Sequence, residues 1–456
     1  MRARVLASPD VQNSENAAGA VEVILVGAGH RSVGYAGYSA MEPGELRVVG
    51  IVDPDPVRRE AAAAKFEVPA DRQYAYVADL PDEPLARAAF NGTMDALHVP
   101  TSLELLDKGY DLLLEKPISL DPESLLALQA KADDLGRTVV VCHVLRHAPF
   151  YAAIKQRIAD GEIGEVLTVD MAEMVSYDHV TAAYVRGRWR SKEECGSSIL
   201  MAKCSHDMDL MSWFAAPGKP VRATSAGSLR WFTEKNAPAG SGTRCLTDCA
   251  IESSCPYSAK RIYVDQYRWS FYAWEVLEHL GRKPTEAEML ESLATDNPFG
   301  RCVWRGDNDV VDHQAVTVEF DNGTTGNLTL TTNAARANRT VHIVGTKGEI
   351  IGSMEDETFD VLRFDASIEH HTTETVSTHA EADVEGYGGH GGGDMRLVAD
   401  FVAVLQGREP SLSTTSLADS VNGHLAGFAA EQGRLEGRWV SLDEYREAAA
   451  PVVTAG

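Results

Sequence analysis

Val21-Glu22-Val23-Ile24-Leu25-Val26 runs directly into Gly27-Ala28-Gly29-His30-Arg31-Ser32-Val33-Gly34 and then into helix-like sequence. A strand that feeds a glycine loop and a helix is the feature that most narrows the fold. In such a unit the loop and the helix start offer backbone N–H groups to a pyrophosphate. Gly27 permits the tight turn, and Gly29 lets the backbone approach a phosphate closely. Ser32 stands where a third glycine would complete the fingerprint, and His30 and Arg31 fill the loop between. An ordinary glycine-rich loop is the competing reading. A second strand, Leu46 to Val52, ends in Asp53. A carboxylate there accepts hydrogen bonds from a ribose 2′-hydroxyl and repels a 2′-phosphate, so NAD is favoured over NADP. Arg58 could offset that preference, and Asp53 could also serve as a helix N-cap.

Strand and helix signals continue to alternate. Short strands are expected near Tyr74 to Val77 and Ala88 to Asn91, with Thr93 and His98 just beyond the second as candidate cofactor contacts. Another strand ends in Leu112-Leu113-Leu114-Glu115-Lys116-Pro117, a helix covers Asp121 to Gly136, and a sixth strand covers Thr138 to Cys142. This alternation means a doubly wound parallel sheet. Ligands bind outside the carboxyl ends of such strands, which is where Glu115 and Lys116 stand. A surface salt bridge beside a loop is the alternative for that pair.

Composition sets outer limits. The 456 residues suffice for two or three domains, and the net charge of -25 argues against nucleic acid or an anionic membrane as partner. No run of 18 apolar residues occurs, and residues 1–20 lack the apolar segment of a signal peptide, so they read as a frayed tail on a cytoplasmic protein. Seven cysteines in this length do not suggest a disulfide framework.

The Gly-x-Gly loop, the acidic end of the second strand and the later Glu-Lys-Pro together resemble the Gfo/Idh/MocA oxidoreductases. The resemblance runs from about Val21 to Arg434 with one large interruption. It implies an α/β protein with an N-terminal Rossmann domain, here 21–145. An α+β domain with a large open antiparallel sheet would follow, here 146–456, its free face making a homo-oligomer. It also implies that Lys116 sits beside the nicotinamide and that Lys116-Pro117 is a cis peptide.

In the second half, His143 and Arg146 follow the sixth strand and are candidate substrate or cofactor contacts. A polar helix-entry loop is the equal alternative. A helix is expected from Phe150 to Asp160 and a strand from Glu165 to Ser176. In the run from Ser198 to Trp213, Lys203, His206 and Asp209 fall at steps of three, within one sector of a helix. Its apolar flanks argue against a solvent-facing polar stripe. The run is similar to the family segment carrying the catalytic histidine, with Asp209 at the aspartate three residues later. One departure stands out: many members place an aspartate where this chain has Ala202, and Lys203 could take over part of that role. Arg186, Arg188 and Trp189 are expected near the cleft mouth.

The chemistry then follows. An alcohol barely ionises at neutral pH, so a base must take its proton as the hydride leaves. His206 is the expected base, since imidazole titrates near the working pH. Asp209 would orient it, and Lys116 would hydrogen-bond the developing alkoxide.

From about 229 to 305 the chain departs from a minimal member of the family. Cys245, Cys249, Cys255 and Cys302 could hold a structural zinc, but Cys-x3-Cys-x5-Cys is not a standard knuckle. The reading taken is no metal, with reduced, partly buried cysteines in a cap over the cleft. Beyond it, two hairpins are expected, over 316–331 and 341–350. The acidic cluster around His313 is expected to bind substrate hydroxyls, or to be a solvated loop. Gly386 to Gly393, with Tyr387 and His390, could close over the substrate, and Asp394 would cap the helix that follows.

The leading reading is an NAD-dependent oxidoreductase moving a hydride to or from a secondary hydroxyl of a sugar, polyol or sugar derivative. One alternative is a redox glycosidase that oxidises a sugar only transiently. The other is a nucleotide-sensing protein without catalysis.

Overall fold

The computed structural model describes residues 19–368, 370–379 and 390–449. The expected amino-terminal tail and Tyr387 lie outside these residues, apart from Gly19 and Ala20.

Six strands form the first sheet: β1 (Val21–Val26), β2 (Leu46–Val52), β3 (Gln73–Tyr74), β4 (Ala88–Asn91), β5 (Asp111–Leu114) and β6 (Val139–Val141). Their order is β3-β2-β1-β4-β5-β6, and every pairing is parallel. The order reverses between β1 and β4, so the crevice at their carboxyl ends is the natural ligand site. β4, β5 and β6 are buried along their whole length, as a sheet covered on both faces requires. β3 is shorter than the sequence suggests. It pairs with β2 through two residues, and a 3-10 turn at Val77–Asp79 replaces its end.

The second sheet has nine strands: β7 (Val166–Ser176), β8 (Pro220–Ser228), β9 (His313–Phe320), β10 (Thr325–Ala334), β11 (Asn338–Gly345), β12 (Gly348–Ser353), β13 (Thr358–Phe364), β14 (His371–Ser377) and β15 (Val440–Ser441). They run in the order β14-β13-β12-β11-β7-β10-β9-β8-β15, antiparallel except for β10 beside β7. Strands such as β9 and β11 alternate buried and exposed residues, the pattern of a sheet with one packed face and one open face. On the packed face lie the helices Ile199–Ala215 and Leu417–Glu436. Ser198 caps the first of these, its Oγ accepting the Met201 amide at 3.3 Å. Fifteen of that helix's 17 residues are buried, so its polar side chains are enclosed within the protein.

The insertion has a small core of its own, built on Cys245, Ile262, Tyr263, Trp274, Leu293 and Phe299. No helix among the described residues is long and apolar enough to cross a membrane.

Candidate active site

The glycine loop meets the demands of close approach. Gly27 has φ +82°, and a Cβ there would lie 2.7 Å from the Gly92 carbonyl oxygen. Gly29, by contrast, faces open space, and no side chain caps the helix His30–Ala36 that it starts. Ser32 is placed differently from expectation. It is buried, and a Cβ on Gly92 would meet its Oγ at 2.1 Å, so Ser32 packs the loop against the end of β4. Asp53 is confirmed at the end of β2. One of its oxygens accepts the Ala28 amide at 2.7 Å and the other the Asp55 amide at 2.8 Å. Arg58 is engaged by Glu278 at 2.9 Å and by Glu275, both from the insertion, so it is not free to receive a 2′-phosphate.

At the end of β5 the Lys116-Pro117 peptide is cis. Glu115 is buried and receives Arg31 at 3.0 Å and the Tyr35 hydroxyl at 2.8 Å. Arg31 also reaches both oxygens of Asp394 at 3.0 Å, and His390 approaches Asp394 at 3.0 Å. Arg31 is therefore a clamp between two carboxylates and is not a free phosphate ligand. Asp394 does not cap its helix: Gly392 occupies the cap of Gly393–Leu405, and the carboxylate turns to Arg31. His98 is buried, with its ring nitrogens 2.6 Å from the Pro117 carbonyl and 3.1 Å from that of Thr93. It ties the two strand-end loops together behind the crevice. Thr93 donates to Asn91 at 2.9 Å. His30 packs against Phe271 of the insertion, ring centroids 5.1 Å apart.

Lys116 Nζ donates to the main-chain carbonyl of Ala202 at 3.1 Å, one turn before His206. The Rossmann lysine and the helix histidine thus converge from two domains. The side chain at 202 takes no part in this contact, which the backbone oxygen makes. Burial lowers the Lys116 ammonium's pKa, and Glu115 opposes that shift.

His206 is buried, its Nδ1 lacks a hydrogen-bond partner, and its ring lies 5.6 Å from that of His143 and 6.0 Å from that of His390. Burial first, then Lys116, His143 and His390, hold its imidazole well below the usual range. Among the described residues no carboxylate opposes that shift, so the surroundings disfavour the charged ring and do not tune it to the working pH.

The other two members of the helical stripe diverge. A step of three residues turns about 60° short of a full circle. Six residues therefore swing the direction by roughly 120°. Asp209 does not orient His206. It is bound by Arg146 at 2.7 and 2.6 Å in a pair shielded from solvent. Arg146 is thereby removed from the list of substrate contacts. Lys203 lies 3.3 Å from Glu173, which also pairs with Arg339, and Arg339 reaches Asp207 at 3.0 Å. That network lies between the helix and the sheet, and its cations act on the neighbouring site: Lys203 lowers the pKa of Lys116, and Arg339 that of His206. His143 is buried between His206 and His424 and is kept neutral mainly by burial. His313 is also misplaced by the sequence reading. It is exposed, on the face of β9 opposite the buried Gln314, which bonds Glu431 of the packed helix layer.

Trp189 donates to Asp95 at 2.9 Å and packs on Tyr272 with centroids 5.8 Å apart. Arg188 pairs with Glu275. His179 stacks on Trp269 at 4.2 Å, and Trp269 lies parallel to Tyr272. Burial pushes the Tyr272 hydroxyl up to about 12. This aromatic wall comes largely from the insertion; Trp189 was expected near the cleft mouth, but the sequence reading singled out none of the insertion's residues in it. The same holds for His424. Its Nε2 accepts the Ile118 amide at 3.0 Å while its Nδ1 bonds the Ser420 carbonyl, so it props the Lys116-Pro117 turn from below.

A parallel sheet with its glycine loop, joined to an open sheet whose helix brings a histidine to a strand-end lysine, defines a two-domain nucleotide-dependent oxidoreductase. The family comparison agrees along nearly the whole chain. Residues 21–143 match the NAD-binding Rossmann-fold domain of the Gfo/Idh/MocA oxidoreductases, and residues 155–442 match the family's C-terminal alpha/beta domain. The chain belongs to that family and carries its NAD-binding domain. It is 26% identical over 422 residues to the YteT protein of Bacillus subtilis (strain 168), covering 87% of this chain and 90% of that one. It is 23% identical over 196 residues to inositol 2-dehydrogenase of Corynebacterium glutamicum, covering 43% of this chain and 54% of the relative. Among solved structures, levoglucosan dehydrogenase in complex with NADH and levoglucosan superposes with a TM-score of 0.65 at 19% identity. That match covers 92% of this chain and 99% of the other. An oxidoreductase from Agrobacterium radiobacter in complex with NAD+, L-tartaric acid and magnesium gives 0.63 at 14%, with 93% and 99% covered. Likeness at this identity establishes the fold.

Proposed function

We propose that this oxidoreductase moves a hydride between NAD and a secondary hydroxyl of a sugar, polyol or sugar derivative. The observation that carries the reading is the meeting of Lys116 with the His206 helix at the carboxyl edge of β5. The residues fit the dinucleotide. Gly29 leaves open space at the helix start for the pyrophosphate and Gly27 makes the turn that packs on Gly92; Asp53 at the end of β2 would take the ribose, and Lys116 the nicotinamide end. When bound, the dinucleotide supplies the hydride acceptor for oxidation and the donor for reduction.

The protein's own part is to manage the proton. A neutral His206 has a free lone pair to accept it, and the Lys116 ammonium is a donor for the oxygen that becomes the carbonyl. Glu115, fixed by Arg31 and Tyr35, offsets part of the lowering that burial imposes on the Lys116 pKa. The aromatic wall of Trp189, Trp269 and Tyr272 offers flat apolar faces of the kind that the C–H face of a sugar ring packs against. The relatives named for inositol and levoglucosan support the same class. Homo-oligomerisation through the open sheet face, where Phe364 and Ile351 are exposed, belongs to this proposal.

The test is a panel of free sugars, polyols and aryl glycosides with NAD, following NADH and phenol in the same wells. NADH rising with a free sugar or polyol supports the reading. NAD-dependent phenol release without net NADH would replace it with a redox glycosidase. Tight NAD binding with no turnover of any substrate would point to a sensor.

A further inference from the structure

The insertion gathers four cysteines that the proposed reaction does not use. Cys245, Cys249, Cys255 and Cys302 line one largely enclosed cavity, with Arg186, Tyr257 and Trp304 in its walls and Glu252, held by the Ser258 hydroxyl, at its edge. The main chain builds this arrangement. Cys302 N donates to Thr243 O at 2.9 Å and Cys245 N to Gly300 O at 3.0 Å, which lays those two segments side by side. Asp248 pins the Thr243 and Arg244 amides at 2.9 Å and so folds the loop carrying Cys249 back onto them.

Arg186 is the second observation, and it is independent of the sulfurs' spacing. Its side chain heads the fully buried ones by volume, at 1% exposure. It donates to Arg301 O at 2.8 Å, Tyr257 O at 2.8 Å, the Tyr263 hydroxyl at 3.3 Å and Cys245 Sγ at 3.5 Å. Every one of these acceptors is neutral when the cysteines are thiols. No carboxylate among the described residues pairs with it. A buried cation without a counter-charge is strongly disfavoured, yet this one faces a cavity rimmed by sulfur.

We infer that the four cysteines hold a metal centre as thiolates, whose net negative charge is the counter-charge of Arg186. No ligand cluster among the described residues is already spaced for a single ion. The space between the sulfurs therefore suits an iron–sulfur cluster, which four cysteine thiolates hold, better than one zinc with short Zn–S bonds. When an already assembled cluster binds, four S–H bonds give up their protons to solvent, and four sulfur–iron bonds replace the bonds to the ligands it leaves, with no change in oxidation state. The centre has a structural consequence for the cleft. Arg186 directly follows the buried turn Thr181–Val185 and precedes Arg188 and Trp189, so the centre braces the cleft wall from behind.

The full chain, purified without chelator under anaerobic conditions from iron-supplemented cells, would be assayed for iron, acid-labile sulfide and zinc. Matched iron and sulfide with a visible thiolate-to-iron absorption are expected. Both should fall at least tenfold in Cys249→Ser, at the least buried of the four, and persist in Cys195→Ser, outside the cavity. Circular dichroism would confirm that both variants fold. Zinc without sulfide, lost in Cys249→Ser alone, would overturn the iron–sulfur form while supporting the thiolate centre. Folded wild-type protein that stays metal-free after anaerobic incubation with mixed ferrous and ferric iron and sulfide, or with zinc, would overturn the inference. The readout is metal content, so its failure is distinguishable from failure of the dehydrogenase reading.

Discussion

Arg146 grips Asp209 with two parallel hydrogen bonds, Nε and Nη2 to the two carboxylate oxygens at 2.7 and 2.6 Å, and both side chains are buried. Breaking one half of such a pair strands a charge and typically costs about 3–5 kcal/mol. Asp209→Asn is therefore expected to lower the denaturation midpoint substantially. At temperatures where it stays folded, its pH–rate profile should match the wild type. A shifted acid limb in that profile would return Asp209 to the proton relay.

Lys116 and His206 behave differently. Lys116→Met and His206→Asn should each reduce kcat by roughly 10²–10⁴-fold, the usual weight of a positioned proton-transfer group. NAD binding, followed by tryptophan fluorescence, should change little in His206→Asn. Near-normal turnover in either variant would remove that residue from the chemistry.

The pH dependence of oxidation tests the neutral state of His206. A base must be unprotonated to act. A base at the ordinary value of 6.5 would lose activity as the pH falls through that point, whereas His206 is held well below it. The acid limb of kcat/KM should accordingly lie well to the acid side of 6.5, wherever the fold persists. A limb centred at 6.5 and abolished by His206→Asn would contradict the burial argument.

Stability carries its own pH signature. Burial lowers His424 to about 3 and His147 to about 4, from 6.5. Between those values the unfolded chain takes up protons that the folded chain does not. Stability then rises with pH across the window and is lost as the pH falls through it. At about 1.4 kcal/mol per pK unit, the two rings together account for several kcal/mol between pH 6.5 and about 4. Urea midpoints measured across that range should fall steeply in the wild type and less steeply in His424→Gln. Parallel slopes would show that other groups control acid unfolding.

Asp53 fixes the Ala28 and Asp55 amides, and in the proposed function it also takes the ribose. Asp53→Ser should weaken NAD binding and narrow the preference over NADP, read from the ratio of kcat/KM for the two. Because Arg58 is tied to Glu275 and Glu278, reversal to NADP is expected only when those glutamates are also replaced.

The Rossmann half was legible because its signals are local. A strand, a glycine loop and an acidic strand end follow within 33 residues, and β9 and β10 announce themselves by alternation and an Asp-Asn-Gly turn. The meeting of Lys116 with the His206 helix was readable only through the family resemblance. What escaped was pairing at long range. Arg146 and Asp209 are 63 residues apart, Arg31 and Glu115 are 84 apart, and Arg31 and Asp394 are 363 apart. No periodicity encodes which carboxylate an arginine will find. His313 was misjudged for a related reason: an acidic neighbourhood is visible in sequence, but which face of a strand the side chain takes depends on register.

The bond from Lys116 to the carbonyl of Ala202 has an evolutionary consequence. A side-chain partner can be erased by one codon change, whereas a peptide oxygen survives every substitution at its residue. Position 202 is thus released from the duty of holding the lysine. What limits its side chain instead is the packing of the apolar core in which Ala202 is buried.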